Sequence, residues 1–152
     1  MKLKFIYSEV FFDSLNKYKK VNRTWEEVVK LGRMFEQKYA KKINKIIDLI
    51  PIILNQKWKN EIIEVYIVDW LGPSFSHPLT LKVREDFLLM LTILTHELIH
   101  HFKIDKPKGL EREKKINDYT ELIFNKLGID VKEQIKIMQE FSEKRFLKPN
   151  QK

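Results

Sequence analysis

The sequence predicts an α+β fold: a small, mostly antiparallel sheet with an edge strand, packed against one long scaffold helix, a buried helix and the amphipathic helix that follows it. Three stretches predict it. Apolar residues recur at the helical period between Thr24 and Pro51, Ile62 to Trp70 is rich in β-branched and aromatic residues, and Asp86 to Phe102 is apolar nearly all round. The chain has 152 residues, 43% hydrophobic and 33% charged, with only 4 Gly and 5 Pro, so one core can be buried and collagen-like, low-complexity and disordered classes are excluded. No fixed-period repeat or linker divides it, and 1–152 reads as a single domain.

Taken in order, Lys2 to Tyr7 reads as a short strand, and a helix follows from about Ser8 with Phe11, Phe12, Leu15 and Tyr18 at helical spacing. Thr24 with Glu27 makes a capping box that opens the long helix, whose stripe is Val28, Leu31, Phe35, Tyr39, Ile43, Ile46 and Ile50. That helix is expected to end as Pro51 approaches. In Ile62 to Trp70 both alternating sets are largely apolar, which places the strand in the interior of the sheet. Leu71 to Pro78 reads as turn, and Leu79 to Val83 alternates apolar and polar residues as a half-exposed edge strand does. The helix from Asp86 is central and buried. A connector over 103–109 leads to a helix from Leu110 to Leu127, closed by Gly128, and Asp130 with Glu133 caps a last amphipathic helix to about Phe146, with a loose tail from Lys148.

Zero cysteines exclude disulfide scaffolds, thiolate zinc modules and Cys nucleophiles, leaving His, Asp and Glu as metal ligands. Met1 to Tyr7 meets Glu9 and Asp13 before an apolar region forms, so it reads as no signal peptide. The longest apolar runs fall short of the roughly 20 residues of a membrane span, and the expectation is a cytoplasmic protein. The net charge of +8, from 29 basic and 21 acidic residues spread along the chain, reads as a solvated surface rather than a nucleic-acid stripe.

The buried helix carries His96, Glu97, Leu98, Ile99 and His100, an H-E-x-x-H pattern. Residues four apart share a helix face, so both imidazoles can reach one ion while Glu97 addresses a water beside it. His and Glu inside so apolar a segment are costly unless paired or metal-bound. Tetrahedral zinc then needs a third protein ligand and keeps water in its open position. His101 points about 100° away from His100 and reads as a solvated histidine. Folding the chain back about position 106 sets 113 and 114 opposite Leu98, between the two histidines, which makes Glu113 the expected third ligand. Glu121, about two turns along, is the alternative. Asn117, one turn after Glu113, is the expected support for the site.

His96 to His100, then Glu113 with Asn117, Tyr119, Leu122 and Ile123, resembles the gluzincin zinc peptidases, whose third ligand is a Glu on a separate glutamate helix. The size and spacing look most like the minigluzincins, and the E-x-x-x-N stretch is similar to that of antirepressor peptidases that cleave phage repressors. The resemblance covers about residues 79–127. It implies a zinc metallopeptidase, weak or latent, acting on peptide or unstructured protein, and an extended substrate laid along the edge strand Leu79 to Val83.

Glu97 is then the general base on a zinc-bound water, and Tyr119 and His77 are candidate oxyanion donors. The competing expectation is a non-catalytic zinc-stabilised binding module that uses its basic surface for a protein or nucleic acid. A closed structural site, however, has no use for a base such as Glu97.

Overall fold

The chain opens with strand β1 (Lys2–Ile6), a short helix α1 (Glu9–Asn16) and the long helix α2 (Trp25–Leu54). The computed structural model describes residues 1–17, 21, 23–70, 72–106 and 108–147. Ser8 caps α1 by accepting from the Phe11 amide at 3.2 Å; Tyr18 lies outside the described residues. At Thr24 the capping box is present in both directions, with Glu27 N donating to Thr24 Oγ1 at 3.3 Å and Thr24 N to the Glu27 carboxylate at 2.7 Å. The predicted stripe of α2 is buried, with Leu31 half-buried. Gly32 belongs to that face because a Cβ there would lie 2.7 Å from the Tyr7 ring and 2.8 Å from Ile67, so glycine alone lets the helix come this close.

Helix α2 does not stop before Pro51 but runs on to Leu54. Proline lacks the N–H that would bond the Ile47 carbonyl, and the Trp58 indole donates to that carbonyl instead, at 3.0 Å. Asn55 ends the helix in a left-handed conformation (φ 50°).

Strands β2 (Ile62–Val68), β3 (Phe75–Ser76) and β4 (Leu79–Lys82) follow. Among the described residues the sheet has four strands in the order β1-β2-β4-β3, which makes β2 interior as its composition predicts. Strand direction corrects the antiparallel expectation: β1 with β2 and β2 with β4 are parallel, and β3 with β4 alone is antiparallel. The helices between β1 and β2 carry the chain back to the same end of the sheet. Within the stretch read as turn, β3 reverses the chain once more before β4; Leu71 there lies outside the described residues.

Strand β4 is likewise no half-exposed edge. Leu79, Thr80 and Leu81 are buried, β3 pairs Phe75 with Thr80 and Ser76 with Leu79, and Lys82 N donates to Ser74 Oγ at 3.0 Å. The Thr80 hydroxyl, polar in pattern, bonds the Pro78 carbonyl at 3.0 Å and so tolerates burial. The side of β4 that an extended substrate was expected to use is therefore taken.

Three helices complete the chain: α3 (Phe87–Ile99), α4 (Leu110–Lys126) and α5 (Lys132–Leu147). Asp86 caps α3 through the Leu89 amide at 2.9 Å. Every residue from Leu89 to His96 is buried, then Leu98 and Ile99, as the all-round apolar pattern predicts. Thr92 and Thr95 inside it bond the Leu88 and Leu91 carbonyls, each at 2.8 Å. Gly109 starts α4 at φ 112° and ψ −161°, a conformation essentially confined to glycine. Asp130 accepts from Lys132 N at 3.0 Å at the start of α5; the tail from Lys148 lies outside the described residues. No described helix is long and apolar enough to cross a membrane.

Candidate metal centre

His96 lies on α3 and His100 is its C-cap residue, still in helical conformation, so the two imidazoles stay on one face of the rod. Helix α4 packs against that face. His100 meets Glu113 early in α4 while His96 also reaches Asn117 one turn further on, so the two helices run antiparallel, as the fold-back at position 106 predicts.

The donor atoms converge. His96 Nε2 is 3.0 Å from Glu113 Oε2 and 3.1 Å from His100 Nε2, and His100 Nε2 is 3.6 Å from Glu113 Oε2. His96, His100 and Glu113 could hold one metal ion, and they are the group of three or more His, Asp or Glu residues so placed among the described residues. Glu121, the alternative ligand, is not in that group.

The electrostatics of the cluster call for a cation. Asn117 Oδ1 lies 2.8 Å from His96 Nδ1, and an amide oxygen only accepts, so Nδ1 carries the proton. In the neutral ring Nε2 then presents a lone pair to the Glu113 carboxylate. Two acceptors at hydrogen-bond distance are stable only with a proton or a metal ion between them. Burial works against ionisation of Glu113, yet with the imidazoles protonated the hydrogen bonds and charges of His100 and His96 outweigh it and hold the carboxyl well below its usual range.

Glu97 follows His96 and is not part of the ligand group. It lines a cleft of about 620 Å³ together with His96 and Glu113. Burial is the main reason its carboxyl is pushed up to about 7; the nearby His100 opposes the shift and the Glu113 carboxylate adds to it.

Neither candidate oxyanion donor lines this cleft. Tyr119 packs against the core with Lys115 Nζ 4.9 Å over its ring. His77 is exposed, bonded to Ser76 Oγ at 2.9 Å and stacked on His101 with ring centres 4.5 Å apart. His101 is thus half-buried against His77 rather than a solvated histidine, and burial lowers its pKa.

Several cleft residues went unread in the sequence. Lys82 and Arg84 come from the end of β4 and the residues after it, and Met138, Phe141, Ser142 and Arg145 from one face of α5. The spacing 138, 141, 142, 145 is the available signal: a helical face on which Phe141 remains 55% exposed is facing an opening, not a core. Compared with known protein families, curated proteins and solved structures, the chain matches none.

Proposed function

We propose that the protein is a zinc-dependent metallopeptidase that hydrolyses peptide bonds. The observation that carries this reading is that Glu97, which is not in the ligand group, opens into the same cleft as His96 and Glu113. A structural site would be closed by a fourth protein ligand; this one has two imidazoles, one carboxylate and an adjacent cavity.

The donor set and its spacing favour zinc. Ligands about 2.0–2.1 Å from a tetrahedral ion sit about 3.3 Å apart, and the three spacings here are 3.0, 3.1 and 3.6 Å. Imidazole nitrogen with a single carboxylate suits zinc better than magnesium or calcium, which prefer oxygen throughout. When bound, the ion supplies a Lewis acid that polarises a carbonyl and acidifies water.

The rest of the chemistry belongs to the chain. Asn117 fixes the His96 ring so that Nε2 faces the site. Glu97, held with its proton affinity near neutrality, takes a proton from water and delivers it to the departing amine. Ile93, Met138 and Phe141 give the cleft apolar surface against which a substrate side chain can pack.

The test is a paired measurement of metal and turnover. Purified protein is expected to carry about one zinc per chain and to degrade an unstructured protein such as casein. Glu97→Gln is expected to keep the zinc and lose the degradation. Wild-type turnover in that variant, or protein that binds no zinc, overturns the reading; zinc without turnover in either form points to a binding module instead.

A further inference from the structure

We infer that the cleft selects a polypeptide bearing a carboxylate, and that Arg84 is the residue that binds it; that the ligand is a polypeptide rests on the hydrolytic reading above. Three cations line the cleft, Lys82, Arg84 and Arg145, and they differ in what already occupies them. Lys82 lies 3.9 Å from Asp69, which also holds Arg23 at 3.4 Å. Arg145 is exposed, its guanidinium 5.5 Å over the Phe146 ring.

Among the described residues Arg84 has no direct ion pair and its Nε is buried without a hydrogen-bond partner, while the Asp69 and Asp86 carboxylates act on its charge only from a distance. A guanidinium stays charged and carries five donors in a planar fork. Leaving a buried donor of such a group unpaired is unfavourable, and a carboxylate that pairs with the guanidinium from the cleft would offset that cost. The fork matches a carboxylate edge to edge.

Two features favour a peptide carboxylate over a nucleic-acid phosphate. Met138, Phe141 and Phe146 of α5 also line the cleft and offer apolar surface for an uncharged side chain beside the anion. Glu97 and Glu113 line the same cleft and disfavour a strand with a charge at every residue. The carboxylate can be an Asp or Glu side chain or a free C-terminus, and the experiment separates the two.

Three fluorescein-labelled peptides of one length are titrated by anisotropy into the zinc-loaded Glu97→Gln protein. One has an internal Glu and an amidated end, one is neutral with a free carboxyl end, and one is neutral and amidated. At least one carboxylate peptide is expected to bind about tenfold to a hundredfold tighter than the neutral amidated one, the range of a charge-assisted hydrogen bond. The peptide that shows the preference names the source.

Adding Arg84→Gln is expected to erase the difference. Arg84→Lys, which keeps the charge and the stem but not the fork, is expected to keep part of it, and Arg145→Gln to leave it in place. Equal binding of all three peptides, no binding of any, a preference that survives Arg84→Gln, or displacement by a single-stranded oligonucleotide overturns the inference. Zinc content measured on the same samples is a separate readout: zinc without carboxylate preference overturns this inference alone, and preference without zinc overturns the metallopeptidase reading.

Discussion

Asn117 on α4 accepts a hydrogen bond from the His96 ring on α3, Oδ1 to Nδ1 at 2.8 Å with both side chains buried, and this contact decides which nitrogen of His96 faces Glu113. It fixes the tautomer and the ring angle together. Asn117→Leu is therefore expected to weaken zinc binding about tenfold to a hundredfold, the usual effect of losing the partner that orients a metal-binding histidine. Asn117→Asp keeps the acceptor and is expected to bind at least as tightly as wild type. Competition titration against a chromogenic chelator measures both, and equal affinity in all three proteins would show that the contact does not orient the ligand.

The ligand triangle separates two glutamates on one helix. Glu113→Ala removes a donor within 3.6 Å of both imidazole Nε2 atoms, whereas Glu121 lies outside the group. Glu113→Ala is expected to lose zinc on dialysis and Glu121→Ala to retain it, as read by atomic emission on the dialysed proteins. The reverse pattern would place the third ligand two turns further along α4.

Trp58 and Pro51 form a second testable pair. The indole supplies the bond to the Ile47 carbonyl that proline withholds. Trp58→Phe is expected to destabilise the fold by about 1–3 kcal/mol in urea unfolding, the cost of a carbonyl left without its donor. In a Pro51→Ala background the restored backbone N–H competes for that carbonyl, and the same substitution is expected to cost less. Equal costs in the two backgrounds would mean that the indole acts through packing on Phe102, whose ring centre lies 4.5 Å away, and not through the hydrogen bond.

At high pH the contact between α2 and the residue after β1 becomes sensitive. Burial, and then the hydrogen bond Tyr7 donates to Glu36, raise the Tyr7 phenol above its ordinary value of 10.0. A group whose folded pKa is raised binds its proton more tightly in the folded state, so its contribution is complete below the unfolded value and is lost as pH climbs above it. Stability of the wild type is expected to fall more steeply as pH rises above about 10 than that of Tyr7→Phe. Parallel slopes in the two proteins would remove Tyr7 from the alkaline transition.

The site was legible to the extent that its information is local. The four-residue spacing of His96 and His100 fixes a shared helix face without any knowledge of the rest of the chain. Glu113 and Asn117 were legible too, because a short connector between two helices dictates which residues stand opposite one another. The walls of the cleft were not: Arg84 and Arg145 are 61 positions apart, and only packing brings them to one opening. Tyr119 and His77 failed as oxyanion candidates for the same reason, since residue type says nothing of direction.

The sheet divides in the same way. Sequence by itself placed an interior strand over Ile62 to Trp70. The structure ends it at Val68 and sets it between β1 and β4, but leaves Ile62 and Glu64 exposed on one face, so its apolar residues are not covered on both sides throughout. Sequence also determined α3 as a buried rod and the capping box of α2, which are matters of local pattern and local hydrogen bonds. Tertiary structure decided that β1 and β4 run parallel to β2 and that two residues, Phe75 and Ser76, close the outer side of β4. Strand direction is set by the path between strands, and a buried Thr80 looks polar until its hydroxyl finds the Pro78 carbonyl. Short-range periodicity records which side of an element meets the core; which other element waits there is fixed only when distant segments compete for the same buried surface.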